Sequence, residues 1–153
     1  MNKKDLKIIS HLRSDARMSL TNLSRKTSIP VTTIFDRIKV QQKDKVIKKF
    51  TSLLNFNELG YNTRANIALR VDREDKEELK EHLIKHENVN SVSRINNGYD
   101  FMVEGIFKQM VDLEDFLDKL EQRFKILDKK SFFIIEDLKK EDFMNDQSLM
   151  LEA

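Results

Sequence analysis

The hydrophobic residues of the first 43 positions recur at three- and four-residue spacing, which predicts three short helices. Asn2 or Asp5 is available to cap the first helix, and Ser19 is a good N-cap for the second. Pro30 cannot continue a helix and restricts the residue before it, so a turn is expected between the second helix and the third. The positions predicted to face inward are Leu6, Ile8, Ile9 and Leu12 in the first helix, Leu20, Leu23 and Thr27 in the second, and Val31, Ile34 and Ile38 in the third.

Strand-like alternation follows the third predicted helix, and residues 46–50 and 51–54 predict a β-wing. Beyond residue 61, strand and helix patterns take turns, with a hairpin signal at Asn96-Asn97-Gly98. The segments that predict strands are 63–71, 89–95, 100–107 and 131–135, and those that predict amphipathic helices are 73–86 and 110–124. The order βαββαβ predicts a ferredoxin-like sandwich, and the chain as a whole is expected to be an α+β protein.

The charge of the chain is divided between its two parts. Residues 1–50 hold 13 Lys/Arg and 4 Asp/Glu residues, a net charge of +9, whereas residues 51–153 have a net charge of −7. Such a division predicts a basic module that meets a polyanion, joined to an acidic module with another task. We expect a DNA-binding domain at 1–50, a linking strand at 51–60, a second domain at 61–140 and an acidic tail at 141–153.

Several function classes are disfavoured by the composition. The 153 residues include no Cys, which excludes disulfides and Cys-ligated zinc, and no apolar run approaches the roughly 18 residues of a membrane span. A phosphate-binding glycine loop, a Gly-x-Ser-x-Gly elbow and a perturbed carboxylate pair are also missing. We therefore expect a soluble, cytoplasmic protein that is not an enzyme, with no catalytic residue and no cofactor.

His82 and His86 lie four residues apart, and Glu78 lies one turn earlier, which is a spacing that some metal sites use. This spacing places the three side chains on one helix face, where a metal could use them. Two His residues without a further ligand are more typical of a solvent-facing pair. The sequence therefore predicts no metal site.

The second and third predicted helices, joined by a tight turn and followed by a basic wing, form the arrangement of a winged helix-turn-helix domain. The DNA major groove admits one α-helix, whose N-terminal residues reach base edges, while basic side chains contact phosphates. A small helical bundle with a solvated basic face is the plainer alternative. The predicted contacts to double-stranded DNA come from Thr32, Thr33, Phe35, Asp36, Arg37, Lys39, Lys43, Lys45, Lys48 and Lys49.

Segments 5–9, 20–24, 33–39 and 46–50 resemble the winged helix-turn-helix of the Lrp/AsnC transcription regulators of bacteria and archaea. The likeness continues through 54–61 and covers about residues 3 to 140. The family usually has Gly where this chain has Ser28 and Lys45, and Leu where it has Gln41. The resemblance implies a sequence-specific regulator that forms homodimers, or tetramers or octamers.

The second half resembles the effector-sensing RAM domain of that family, with its loop at Gly98-Tyr99-Asp100. In the family this loop helps to form an amino-acid site between neighbouring subunits. The plainer alternative is a hairpin in which Gly98 supplies a positive φ and Asp100 forms a cap. The effector contacts that the resemblance implies are Asn97, Gly98, Tyr99 and Asp100, with Ser131 in the last strand.

Two other functions stay open. Siroheme decarboxylases share this architecture, but they resemble one another through a His-Asn-Tyr stretch where this chain has Ser91-Val92-Ser93-Arg94. An architectural protein with little sequence preference would share the basic footprint. The tail is expected either to fray or to pack on a neighbouring subunit through Phe143, Met144, Leu149, Met150 and Leu151.

Overall fold

The computed structural model describes residues 1–145, and the expectations for Leu149, Met150 and Leu151 lie outside the described residues. The chain divides into two compact units. The first unit is Met1–Leu53 together with residues 138–145, and the second unit is Leu54–Asp137. Among the described residues, no helix is both long and apolar enough to cross a membrane.

Three helices form the body of the first unit: α1 (Lys3–Ser14), α2 (Leu20–Thr27) and α3 (Val31–Lys43). Asn2 caps α1, because its side-chain Oδ1 accepts the N–H of Asp5 at 2.8 Å. Ser19 caps α2 as predicted, and its Oγ accepts the N–H of Asn22 at 3.1 Å. The start of α3 follows Pro30 and has no side-chain cap.

The core of the first unit is small and aliphatic. Ile8, Leu23, Ile29 and Ile34 are buried, with Leu12, Met18, Leu20 and Ile38 packed around them. The prediction that Val31 faces inward is wrong, since 40% of its surface is exposed. Val31 opens α3 directly after the turn, before the helix has reached the core, so periodicity alone placed it incorrectly.

The two positions where the related family has Gly need a left-handed backbone. Ser28, at the end of α2, has φ 59°, and Lys45, after α3, has φ 60°. This conformation is costly for residues with a Cβ atom. The chain therefore keeps the expected turn geometry at both positions without the residue that favours it.

The predicted strands over residues 46–54 do not form within the described chain. The N–H groups of Val46 and Ile47 both donate to the carbonyl oxygen of Gln41, at 2.9 and 3.0 Å, and the chain then runs on without sheet pairing. Phe50, Leu53 and Leu54 lie on this stretch and are exposed. Alternation alone does not make a strand, because a strand also needs a neighbour to satisfy its backbone groups.

The second unit is the predicted ferredoxin-like fold. Its four antiparallel strands are arranged in the order β2-β3-β1-β4, and a single buried cluster joins them to the two long helices. The elements are the 3₁₀ turn Asn57–Leu59, β1 (Thr63–Val71), the 3₁₀ turn Arg73–Asp75, α4 (Lys76–Lys85), β2 (Val89–Arg94), β3 (Phe101–Phe107), α5 (Met110–Arg123) and β4 (Ile126–Phe133).

The last strand begins earlier than predicted, at Ile126 rather than Ser131. It is an edge strand, and among the described residues it pairs with β1 alone. One side of such a strand meets solvent, so charged residues such as Lys129 and Lys130 are compatible with it. Their polarity concealed the first half of the strand in the sequence.

Candidate functional site

The outer face of α3 carries the side chains that were predicted to read DNA. Thr32 and Asp36 are exposed and Thr33 is half-buried. Phe35 is 47% exposed, and the Nζ atom of Lys39 lies 4.3 Å from the centre of its ring, within reach of a cation–π interaction. The helix thus presents two hydroxyls, a carboxylate, an aromatic ring and an ammonium group to the surroundings.

Arg37 lies on the same helix but is held by α1. Its Nε atom donates to Oδ1 of Asp5 and its Nη2 atom to Oδ2, both at 2.6 Å. The Asp5 side chain is 2% exposed and that of Arg37 is 33% exposed. This paired, two-hydrogen-bond geometry is the strong form of an ion pair, and it fixes α3 against α1.

The ion pair changes the titration of both groups. Hydrogen bonds from Arg37 hold the pKa of the Asp5 carboxyl below its usual value, and Gln41, also buried, acts in the same direction. The hydrogen bond to Asp5 raises the pKa of Arg37 in turn. The phosphate contact predicted for Arg37 stays a prediction, and the structure gives this residue a clear second task in positioning α3.

The remaining predicted DNA contacts follow α3 along the chain. Lys43 is in its last turn, Lys45 is in the left-handed turn that follows it, and Lys48 and Lys49 are on the irregular stretch found in place of the predicted wing hairpin. All four side chains are exposed. Exposed ammonium groups of this kind suit contacts to phosphates, which supply affinity but carry little sequence information.

The predicted effector loop is a tight turn in the second unit between β2 and β3. Asn97 and Gly98 have positive φ values of 65° and 85°. The carboxylate of Asp100 is already engaged, since Oδ2 accepts the N–H of Val71 at 2.9 Å and Oδ1 lies 3.3 Å from Nζ of Lys76. Asp100 therefore anchors the loop to β1 and α4, as the hairpin alternative expects.

Tyr99 links the same loop to the edge strand β4. Its hydroxyl donates to Oδ2 of Asp128 at 2.9 Å, and Nζ of Lys130 lies 5.9 Å from the centre of its ring. Ser131 is exposed further along β4, opposite Ile67 of β1. The loop and the first half of β4 are thus brought together by a side-chain contact that the sequence did not predict.

His82, on α4, faces an arginine, and His86 follows directly after the end of that helix. Nδ1 of His82 lies 3.1 Å from Nη1 of Arg123, and Nη2 of that arginine donates to Oε1 of Glu78 at 3.1 Å. His86 packs edge-on against Phe116, with ring centres 4.8 Å apart. Burial lowers the pKa of both histidines. Within residues 1–145, no group of three or more His, Asp or Glu side chains is placed to hold a metal ion.

Sequence reasoning missed the partner of Arg37. The sequence predicts a cap and a family motif at Asp5 and a departure from the family pattern at Gln41, and it pairs neither residue with Arg37. Both lie on apolar helix faces, Asp5 three residues before Ile8 and Gln41 three residues after Ile38. A polar residue on an apolar face was the available signal, because a buried charge needs a partner.

Comparison with known proteins agrees with this architecture. The model of the winged helix-turn-helix DNA-binding family matches residues 1–48, and that of the Lrp/AsnC ligand binding domain matches residues 64–143. The chain is 35% identical to the HTH-type transcriptional regulator FL11 of Pyrococcus furiosus, over 74% of this chain and 76% of the relative. It is 30% identical to an uncharacterised HTH-type transcriptional regulator of the same organism, over 91% of this chain and 93% of the relative.

Solved structures share the fold at lower identity. LrpC of B. subtilis superimposes with a TM-score of 0.81 at 22% identity, covering 91% of this chain and 97% of LrpC. A transcriptional regulator of Neisseria meningitidis, solved as a complex with L-Met, superimposes with a TM-score of 0.84 at 20% identity, covering 92% and 93%. The named relatives are regulators, which favours a regulator over the decarboxylase alternative. The chain belongs to the Lrp/AsnC family of HTH-type transcriptional regulators.

Proposed function

We propose that this regulator binds a near-palindromic double-stranded DNA site as a homodimer or larger assembly, and that a small molecule modulates it. The observation that carries the DNA part is the composition of α3. Its inner face is fixed by Ile34 and by the Asp5–Arg37 pair, while its outer face is polar, basic and exposed. A helix held in this way offers its first turns to a major groove.

The exposed side chains of α3 match different parts of a DNA duplex. The hydroxyls of Thr32 and Thr33 lie in the first turn, where they can bond base edges. The Phe35 ring suits contact with a thymine methyl group. Lys39, together with the lysines that follow α3, neutralises phosphates and supplies the salt-dependent part of the affinity.

Self-association is supported by an apolar stretch at the end of the second unit. Phe132, Phe133 and Ile135 are 55%, 47% and 94% exposed. Large apolar side chains that a single chain leaves exposed are typical of protein contact surfaces, and successive strand residues such as Phe132 and Phe133 offer one such group on each face of β4. We propose that a second copy of the chain covers these side chains. Phe132→Asp should therefore shift sedimentation toward the monomer, whereas Glu136→Asp should not.

The effector part of the proposal rests on the loop at Asn97–Asp100. L-Met bound to the Neisseria relative supports an amino acid as the ligand class. Asp100 already bonds Val71 and Lys76, which supports a role in holding the loop beside the predicted effector contact. The main chain at Asn97 and Gly98, with Tyr99 and Ser131, is left to meet the ligand.

Binding to DNA from upstream of the gene for this chain, compared with scrambled DNA at two salt concentrations, tests the central proposal. A preference of about a thousandfold for the upstream fragment supports a specific regulator. Equal and steeply salt-sensitive binding to both favours the architectural alternative. Absence of binding at low salt would contradict both DNA functions and bring the enzyme alternative forward.

A further inference from the structure

Asp36 differs from the three other acidic residues among the first 50. Asp5 is paired with Arg37, and Asp15 accepts the main-chain N–H two residues later at 2.9 Å. Asp44 lies at the C-terminal end of α3, where it adds to Asp5 in raising the pKa of Arg37. Each of these three carboxylates thus has a task within the first unit. Among the described residues, no hydrogen bond or ion pair holds the carboxylate of Asp36.

The cations nearest to Asp36 along α3 are directed to other partners. Asp36 is exposed in the second turn of the helix. Lys39 follows three residues later, at a spacing that allows an ion pair, but its Nζ atom lies 4.3 Å from the centre of the Phe35 ring. Arg37 gives its two hydrogen bonds to Asp5. The outer face of α3 therefore carries an open acceptor beside two cations that are already engaged.

An open carboxylate is costly on a surface that meets DNA. Phosphate groups repel it, so it lowers the affinity for every sequence unless it accepts a hydrogen bond from a base. The donors in the major groove are the N6 amino group of adenine and the N4 amino group of cytosine. Adenine also presents the acceptor N7 beside N6, which repels a carboxylate, whereas the edge of cytosine presents the donor alone. The chemistry of Asp36 therefore favours cytosine.

We propose that Asp36 is a specificity-determining residue that accepts a hydrogen bond from the N4 amino group of a cytosine in each half-site. The inference rests on the proposed function, because it requires α3 to enter the major groove, and it names one base of the site. The hydroxyl of Thr32 both donates and accepts, so it suits several bases. A carboxylate only accepts, and it therefore discriminates between bases more strongly.

Enrichment of binding sites from a pool of random DNA duplexes tests this assignment with the full chain. The wild type should enrich cytosine at one position of each half-site. Asp36→Ala should lose the preference at that position and keep the preferences elsewhere. Asp36→Asn should change it to adenine, because an amide donates to N7 and accepts from N6. Asp44→Asn is the matched control, since it removes an exposed acid beyond the first turns of α3 and should leave cytosine preferred.

Affinities for the enriched site and for a scrambled fragment separate base contact from charge. Asp36→Ala should lose about tenfold on the enriched site, because the bond to cytosine disappears. The same variant should gain on the scrambled fragment, because only phosphate repulsion is removed there. Asp44→Asn should change both affinities in the same direction and by similar factors. The Tm of Asp36→Ala should equal that of the wild type, because the side chain is exposed.

Three results would overturn the assignment: an unaltered cytosine preference in Asp36→Ala, changes of the same sign on both fragments for that variant, or a lower Tm. If the wild type enriches a defined site and the Asp36 variants share its base preferences, the role of Asp36 fails while the specific regulator stands. If the wild type enriches no sequence, the proposed specific function fails together with this role.

Discussion

Arg37 of α3 and Asp5 of α1 are joined by two hydrogen bonds of 2.6 Å, although 32 residues separate them in the chain. The Asp5 carboxylate is buried, so Arg37 supplies both the positive charge and the donors that this group needs. Arg37, for which a phosphate contact is predicted, therefore also sets the position of α3, the helix that carries other predicted DNA contacts.

Replacing Arg37 should weaken DNA binding through the fold as well as through charge. Arg37→Ala leaves a buried carboxylate without its partner, and we expect a clearly lower Tm together with loss of affinity for all DNA sequences. Lys39→Ala is the matched control, because it removes an exposed cation from the same helix and should lower affinity with Tm unchanged. Thermal unfolding by circular dichroism decides the question, and an unaltered Tm for Arg37→Ala would contradict the positioning role.

Thr33 should affect discrimination between DNA sequences, whereas Lys48 should affect the affinity for all of them. Thr33→Ala removes a hydroxyl proposed for base contact, so it should reduce the ratio of specific to random affinity. Lys48→Ala should weaken both about equally and reduce the slope of log affinity against log salt by about one. Titrations of both variants on the two DNA fragments test this, and equal loss on both fragments for Thr33→Ala would remove it from the reading residues.

The free energy of unfolding should decrease under mildly acidic conditions because His82 and His86 are partly buried. Burial lowers the folded-state pKa of His82 and His86 below 6.5, so the unfolded chain takes up protons first as the pH falls. The two neutral histidines make their full contribution to folding stability above pH 6.5. That contribution decreases as the pH falls below 6.5, and the decrease ends below the folded-state pKa values. Nδ1 of His86 accepts the N–H of Asn88 at 3.1 Å, and protonation there would break this bond.

The Tm should decrease between about pH 7.5 and pH 5 as these histidines become protonated, and thermal unfolding at several pH values measures this decrease. Replacing His82 and His86 by Gln should reduce the decline. His11 should keep part of the decline, since burial lowers its pKa as well. A decline of undiminished size in the double variant would assign the pH dependence to other groups.

Ser28 offers a stabilising substitution. Its φ of 59° places a residue with a Cβ atom in a left-handed conformation at the end of α2. Ser28→Gly should raise the free energy of unfolding by about 1 kcal/mol, because the steric cost of that conformation disappears. Ser28→Ala removes the hydroxyl but keeps Cβ, so it should give no such gain, and equal stability of the two variants would contradict the explanation.

Local signals in the sequence were sufficient for much of the fold. Ser19 and Pro30 marked the ends of helices correctly, since capping and the missing N–H of proline act within a few residues. The βαββαβ order followed from periodicity. The early start of β4 was hidden, because the charged residues near Lys129 break the alternation of a strand that lies at an edge.

The candidate site was less accessible from the sequence. Helical spacing alone was enough to predict that Thr32, Phe35 and Lys39 are exposed on α3, although it placed Val31 wrongly. The partners of Arg37, Tyr99 and Arg13 could not, because each lies on a separate element and is brought near only by tertiary packing. Spacing along one helix carries no information about what another helix or strand places opposite it.

The path of the chain also bears on how this regulator can be recombined with its relatives. Because the first unit takes up the chain again at Leu138, the second unit is an insertion between two pieces of the first. A chimaera that exchanges effector domains therefore needs two junctions, one after Leu53 and one before Leu138. A hybrid spliced only at the first junction would bring a foreign C-terminal segment to Arg13, in place of the carbonyl groups of Glu141 and Phe143 that this side chain bonds here.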